Sequence, residues 1–173
     1  MMARKDELDE LDEDMVEGED EDTQKGKFLT FVLAKEEYGI EISHVKQIIG
    51  LQNITEVPDK PAYILGVINL RGSVIPIMDV RLRFAMEKKA YDDRTCIVVT
   101  NVEDKTVGLL VDTVSEVLDI PATQIEEPPK VNKGEASKFI KGIGKTGDKV
   151  KIILNVETLV FDRAIEETAA QAK

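Results

Sequence analysis

The stretch Gly39–Ile49, GIEISHVKQII, aligns without a gap on Gly108–Leu118, GLLVDTVSEVL: Gly39 to Ile42 fall on Gly108 to Val111, and Val45 to Ile49 on Val114 to Leu118. This offset is 69 residues, and a second set of runs repeats at 76. Tyr63-Ile64, Gly66, Val74 and Ile77-Met78-Asp79-Val80 fall on Phe139-Ile140, Gly142, Val150 and Ile153-Leu154-Asn155-Val156. The change of offset places a seven-residue insertion in the second copy, near Pro128-Pro129. One architecture therefore occurs twice.

Each copy reads as short apolar runs separated by turn signals at close intervals, the pattern of many short strands. KFLTFVLAKEEYGIEI reads as a hairpin with a polar tip at Lys35-Glu36-Glu37, and ILGVINLRGSVIPIMDV as a second hairpin broken at Arg71-Gly72. Between them, HVKQIIG reads as a short helical turn stopped by Gly50, because Val45, Ile48 and Ile49 share a face at helical spacing. Asp79 is a candidate N-cap for one turn over VRLRF. In the second copy TCIVVTNV and KTVGLLV meet at Glu103-Asp104, KVKIILNV is a closing strand, and ETLVFDRAIEETAAQAK is a C-terminal helix. The inventory, about five strands and a short helix per copy, is that of a small closed or nearly closed β-barrel. Two such units would each be marginal alone and should pack closely, leaving a groove at their junction.

Charge is distributed unevenly over the 173 residues. The net charge is −11, yet residues 1–24 hold twelve carboxylates against Arg4 and Lys5, leaving the remainder nearly neutral. Such a segment buries too little to offset its ordering entropy, so 1–26 is expected to be a disordered acidic tail that serves solubility. No apolar run is long enough to span a membrane and no secretory h-region opens the chain, which points to the cytoplasm.

The residue types that carry chemistry are sparse. The single histidine, His44, has no nearby nucleophile or ligand cluster in the sequence, and lone Cys96 sits in a strand-like run where a small buried hydrophobe is the ordinary reading. GKTGDK at Gly144–Lys149 resembles the end of a phosphate loop, but Phe139 stands where the first glycine is required, and a strand follows instead of a helix. It is read as a hairpin turn. No Cys/His spacing suits zinc, no loop has the EF-hand pattern, and the charge balance disfavours nucleic acid. The expectation is a non-enzymatic protein without cofactor or metal.

One segment exceeds what the barrel requires. In Gly66-Val67-Ile68-Asn69-Leu70-Arg71-Gly72 the duplication supplies an internal control: Arg71 matches Gly147, and Asn69 matches Lys145. The fold can be built without Arg at this tip, so an Arg kept there points to partner contact.

EEYGIEISHVKQIIG, GVINLRGSVIPIMDVR and VGLLVDTVSEVL followed by a GIG turn resemble the signature segments of the CheW-like domain family, from about Phe28 to Val160. The resemblance implies two tandem five-stranded SH3-like barrels, interleaved over residues 27–162, with 163–173 as a helix end and tail. It implies a chemotaxis adaptor that couples chemoreceptor cytoplasmic tips to the histidine kinase CheA in membrane-associated arrays. Receptor contacts carry over to Arg71, Val45, Gly66, Asn69, Val114 and Val117, with Val45 and Val114 as two lips of one groove; no kinase-binding residue is implied by position. Some family members carry an acid where this chain has Gln47. A CheV-like or CheA-derived docking module is the alternative, and an enzyme is the reading from another class.

Overall fold

A computed structural model describes residues 25–128 and 135–171; the acidic segment 1–24 and part of the proline-rich connector lie outside the described residues. Among the described residues, eleven strands form two sheets. One holds β1 (Lys27–Leu33), β2 (Glu36–Glu41), β8 (Thr113–Asp119), β9 (Ile125–Glu126), β10 (Ile140–Thr146) and β11 (Lys149–Leu154), in the order β8-β1-β2-β11-β10-β9. The other holds β3 (Val45–Gly50), β4 (Ile64–Leu70), β5 (Ser73–Asp79), β6 (Cys96–Val102) and β7 (Lys105–Val111), in the order β3-β6-β7-β5-β4. Helices are short: α1 (Val80–Arg83), α2 (Val156–Val160) and α3 (Arg163–Gln171).

Neither sheet comes from one copy of the repeat. The opening hairpin β1-β2 pairs with β8 and, in parallel, with β11, while its counterpart β6-β7 pairs with β3 and, in parallel, with β5. The two copies have exchanged hairpins. The registers repeat as well: Ile153 pairs with Gly39 as Ile77 pairs with Gly108. Asp79 and Asn155, duplicate positions, cap α1 and α2 by accepting from the backbone N–H groups of Leu82 and Thr158.

The exchange explains the core. Its largest cluster contains Leu29, Phe31 and Ile40 from one sheet and Val98, Leu109 and Val111 from the other, so the sheets share an interior. Smaller clusters line their other faces, around Phe28, Ile120 and Ile153 and around Ile75, Ile77 and Val99.

Three sequence expectations need correction. The sheets are not SH3-like closed barrels: β3 and β4 are unpaired with each other at the edges of one sheet, as are β8 and β9 in the other. The cause lies in the connections. Thr55 takes the outer edge of β4 through a two-bond bridge to Val67, and β9 takes the outer edge of β10. The expected five-and-five inventory is accordingly five and six.

The second correction concerns HVKQIIG, which is strand β3 after a single 3-10 turn, Ile42–His44. A bulge between Val45 and Gln47 turns Val45 and Ile48 to the same side, three residues apart. A bulged strand thereby imitates helical spacing. The C-terminal helix is also two helices, interrupted at Phe161-Asp162.

Candidate functional site

The Asn69–Ser73 hairpin carries the Arg singled out by the sequence. Arg71 and Gly72 link β4 to β5 with positive φ, +53° and +88°, the feature that marks the tight turn favoured by twisted two-residue hairpins. The turn is held from within, since the Gly72 N–H donates to Asn69 Oδ1 at 2.9 Å. Asn69 is thus a turn-setting residue. An L side chain in this conformation costs on the order of 1 kcal/mol, which glycine avoids. Its duplicate, Gly147 (φ +64°), avoids that cost. The Arg71 side chain is exposed, and among the described residues it has neither a hydrogen-bond nor an ion-pair partner.

Beside this tip a groove of about 550 Å³ opens at the end of the five-stranded sheet. Buried Ile75, Val99, Val107 and Ile165 form its floor, and Lys46, Arg71, Asp104, Lys105 and Glu166 stand around it. Lys105 is held by Glu166 of α3 and lies over the Phe161 ring, so one side of the groove is a fixed ion pair. Lys46 is exposed on the bulge of β3 and unpaired among the described residues. The wall next to Arg71 includes Val74, 43% exposed.

The six-stranded sheet offers a contrast at the duplicate positions. Where the groove has Ile75 and Thr106, that sheet has Lys151 and Glu37, an ion pair joined by Ser115 Oγ, which donates to Glu37 Oε1 at 3.3 Å. A polar network occupies one copy and an apolar floor the other. The two copies therefore differ physically at this position.

The structure does not bring all the expected contact residues to this groove. Gly66 lies inside, beneath the Thr55 bridge, where a Cβ would stand 2.1 Å from the Thr55 carbonyl oxygen. Its duplicate Gly142 is crowded less severely, with a Cβ standing 2.7 Å from Ile125 Cγ2 and 3.0 Å from the Glu126 carbonyl oxygen. The duplication thus explains Gly66 through packing. Val45 is buried in the shared core, whereas Val114 and Val117 lie half-buried on edge strand β8 and pack against that core. Val45 and Val114 are related by the repeat but belong to edges of different sheets.

Lys46, Val74 and Lys105 were missed by the sequence reading. Reading β3 as a strand would have turned Lys46 away from Val45, and the exposure of Val74 follows from its place beside the Arg71-Gly72 turn. Lys105 shows no local signal, because it reaches the groove through the pairing of β7 with β5.

Other reactive types are occupied. His44 lies 3.7 Å from Glu41 and 4.0 Å from Glu157 across a small polar cleft. The Cys96 thiol is buried and donates to the Arg94 carbonyl. Among the described residues no group of three or more His, Cys, Asp or Glu side chains is placed to hold a metal ion.

Comparison with known proteins agrees on one family. The family model "CheW-like domain" matches residues 27–163. The chain is 39% identical over 134 residues to the chemotaxis protein CheW of Klebsiella aerogenes, covering 78% of this chain and 81% of that one. It is 32% identical over 143 residues to the chemotaxis protein CheW of Bacillus subtilis, covering 83% and 91%. Among solved structures, the scaffolding protein TtCheW from Thermoanaerobacter tengcongensis superposes with a TM-score of 0.74 at 36% identity, covering 80% of this chain and 94% of that one.

Proposed function

The chain belongs to the CheW-like domain family and is a non-catalytic CheW-type adaptor coupling chemoreceptors to the histidine kinase CheA, and on that premise we propose that the Arg71 tip and its groove form the receptor-facing surface. The observation that carries this reading is an exposed Arg, unpartnered among the described residues, held in a conformation that glycine would adopt more cheaply. Asn69 sets the angle of the tip. The apolar floor accepts side chains from a receptor's helical hairpin tip, while Arg71 and Lys46 meet its polar or acidic groups. Val114 and Val117 offer a second, half-exposed apolar strip on β8; Val45 and Gly66 act by holding the edges in shape.

Proteins of this family bind CheA and receptors and are cytoplasmic, associating with membrane receptor arrays. The finer partner assignment for this chain is the CheW-like regulatory domain of the kinase. Coupling needs no bond-making. A scaffold that binds two receptor states unequally shifts the kinase by that difference in free energy, and holding both partners raises their effective concentration.

The test is a pull-down of the full chain with a receptor cytoplasmic tip and the kinase regulatory domain, separately and together. Each should bind alone, and all three should co-elute. If Arg71→Glu captures the receptor tip as well as the unaltered chain, the surface has been misplaced.

A further inference from the structure

The acidic segment 1–24 has a pattern that its charge conceals. In DELDELDEDMV, Leu8, Leu11 and Met15 recur at i, i+3 and i+7, with Val16 beside them and carboxylates elsewhere. This is the spacing by which a helix lays one apolar stripe into a groove. The groove beside Arg71 has the complementary form: a buried apolar floor, with Lys46 and Arg71 exposed and unpaired among the described residues at its mouth. Lys105 is already held by Glu166, which leaves Asp104 to oppose those two cations.

We propose that residues 6–16 of the same chain occupy this groove, with Leu8, Leu11 and Met15 on the floor and the flanking carboxylates at Lys46 and Arg71. Reach is sufficient. Twenty-four residues span up to about 80 Å when extended, against a radius of roughly 15 Å for a folded unit of this size. Tethering gives the segment an effective concentration in the millimolar range, so weak contacts suffice for partial occupancy. The segment would compete with an external partner, and this consequence rests on the reading of the groove as the receptor-facing surface. Because the rim contacts are exposed, salt should release them.

The experiment attaches a nitroxide to Asp12→Cys in the full chain, with Cys96 protected by burial, and records amide signals of the folded residues. At low salt, signals of Lys46, Arg71, Val74 and Thr106 should be broadened, and those of Ile125 and Gly144, at the far edge of the six-stranded sheet, should not. High salt, or Leu8→Asp with Leu11→Asp and Met15→Asp, should restore them. Absence of broadening in the groove, or equal broadening over both sheets, overturns the proposal. Broadening of an isotopically labelled chain by an unlabelled spin-labelled one overturns it in favour of exchange between copies. The triple variant should bind a receptor tip roughly threefold tighter or more, the scale expected when a tethered competitor is removed. Groove broadening with unchanged receptor affinity would leave the tail contact standing and sink the receptor assignment of the groove.

Discussion

Arg81 grips Asp112 side-on, Nε to Oδ1 at 2.7 Å and a terminal guanidinium nitrogen to Oδ2 at 2.8 Å. The same Asp112 Oδ2 accepts from the Ala34 N–H, and Arg81 also donates to the Glu87 carbonyl. One carboxylate thus ties helix α1 to the end of β7 and the turn of the exchanged hairpin β1-β2. The pair joins what the strand exchange brought together.

Removing one partner should be costly, because Asp112 is 8% exposed and would remain an uncompensated charge. Arg81→Met should destabilise the fold by about 3 kcal/mol, as is typical of a broken buried pair, measured by urea unfolding at neutral pH. Burial pushes the Asp112 carboxyl up, but the bonds from Arg81 and Ala34 outweigh it and hold the group below its ordinary value. A carboxyl lowered in the folded state stabilises above its unfolded value, near pH 3.9, and loses that contribution as pH falls through the folded one. The stability gap between the unaltered chain and Asp112→Asn should therefore narrow only below about pH 4. A gap that stays constant down to pH 2 would refute the linkage.

The tip of β4-β5 gives opposite signs for stability and binding. Arg71→Gly relieves the positive-φ cost, so it should stabilise by about 1 kcal/mol, raising Tm by roughly 2–4 °C for a chain of this size. It should nevertheless weaken receptor-tip capture, and Arg71→Glu should weaken it further at unchanged Tm. Loss of both stability and binding in Arg71→Gly would mean that Arg71 supports the fold.

Crowding at two duplicate glycines should exceed conformational strain alone. Gly66→Ala must push its Cβ away from backbone of the Thr55 bridge, and Gly142→Ala away from Ile125 and Glu126. Gly72→Ala meets nothing within 4 Å and carries only the cost of its φ. Urea unfolding should show losses of about 3 kcal/mol for the first two and about 1 kcal/mol for Gly72→Ala. Equal losses at Gly66 and Gly72, the two of the three with positive φ, would show that φ, and not the bridge, decides.

The repeat made much of this fold readable before any coordinates. Offsets of 69 and 76 carry β1 onto β6 and β4 onto β10 residue for residue. Exchange of the hairpins could not be read, because it is a choice of partner: β1 pairs equally well in pattern with either copy's third strand. Closure was misjudged for a related reason, since Thr55 and β9 occupy edges that strand counting assigns to a barrel. Arg71 was legible through its mismatch with Gly147. Lys46 was hidden by the bulge that made Val45 and Ile48 resemble one face of a helix.

Lys151 and Glu37 supply a final test, with the pH sense reversed. Lys151 is 3% exposed and its ammonium is held below the ordinary lysine value by burial, with Glu37 as its ion-pair partner. Replacing Glu37 alone leaves a buried positive charge, so Glu37→Leu should cost about 3 kcal/mol at neutral pH, whereas Glu37→Leu with Lys151→Met should cost little or even stabilise. Between the lowered folded value and about 10.4, the unfolded chain binds the proton that the folded chain has released, so stability from this group rises with pH across that window. The deficit of Glu37→Leu should accordingly shrink as pH rises towards 10, read from unfolding midpoints against the double variant at each pH. A deficit that stays flat with pH would mean that Lys151 reaches solvent once its partner is gone, and that the polar network of the six-stranded sheet is looser than the apolar floor at its duplicate site.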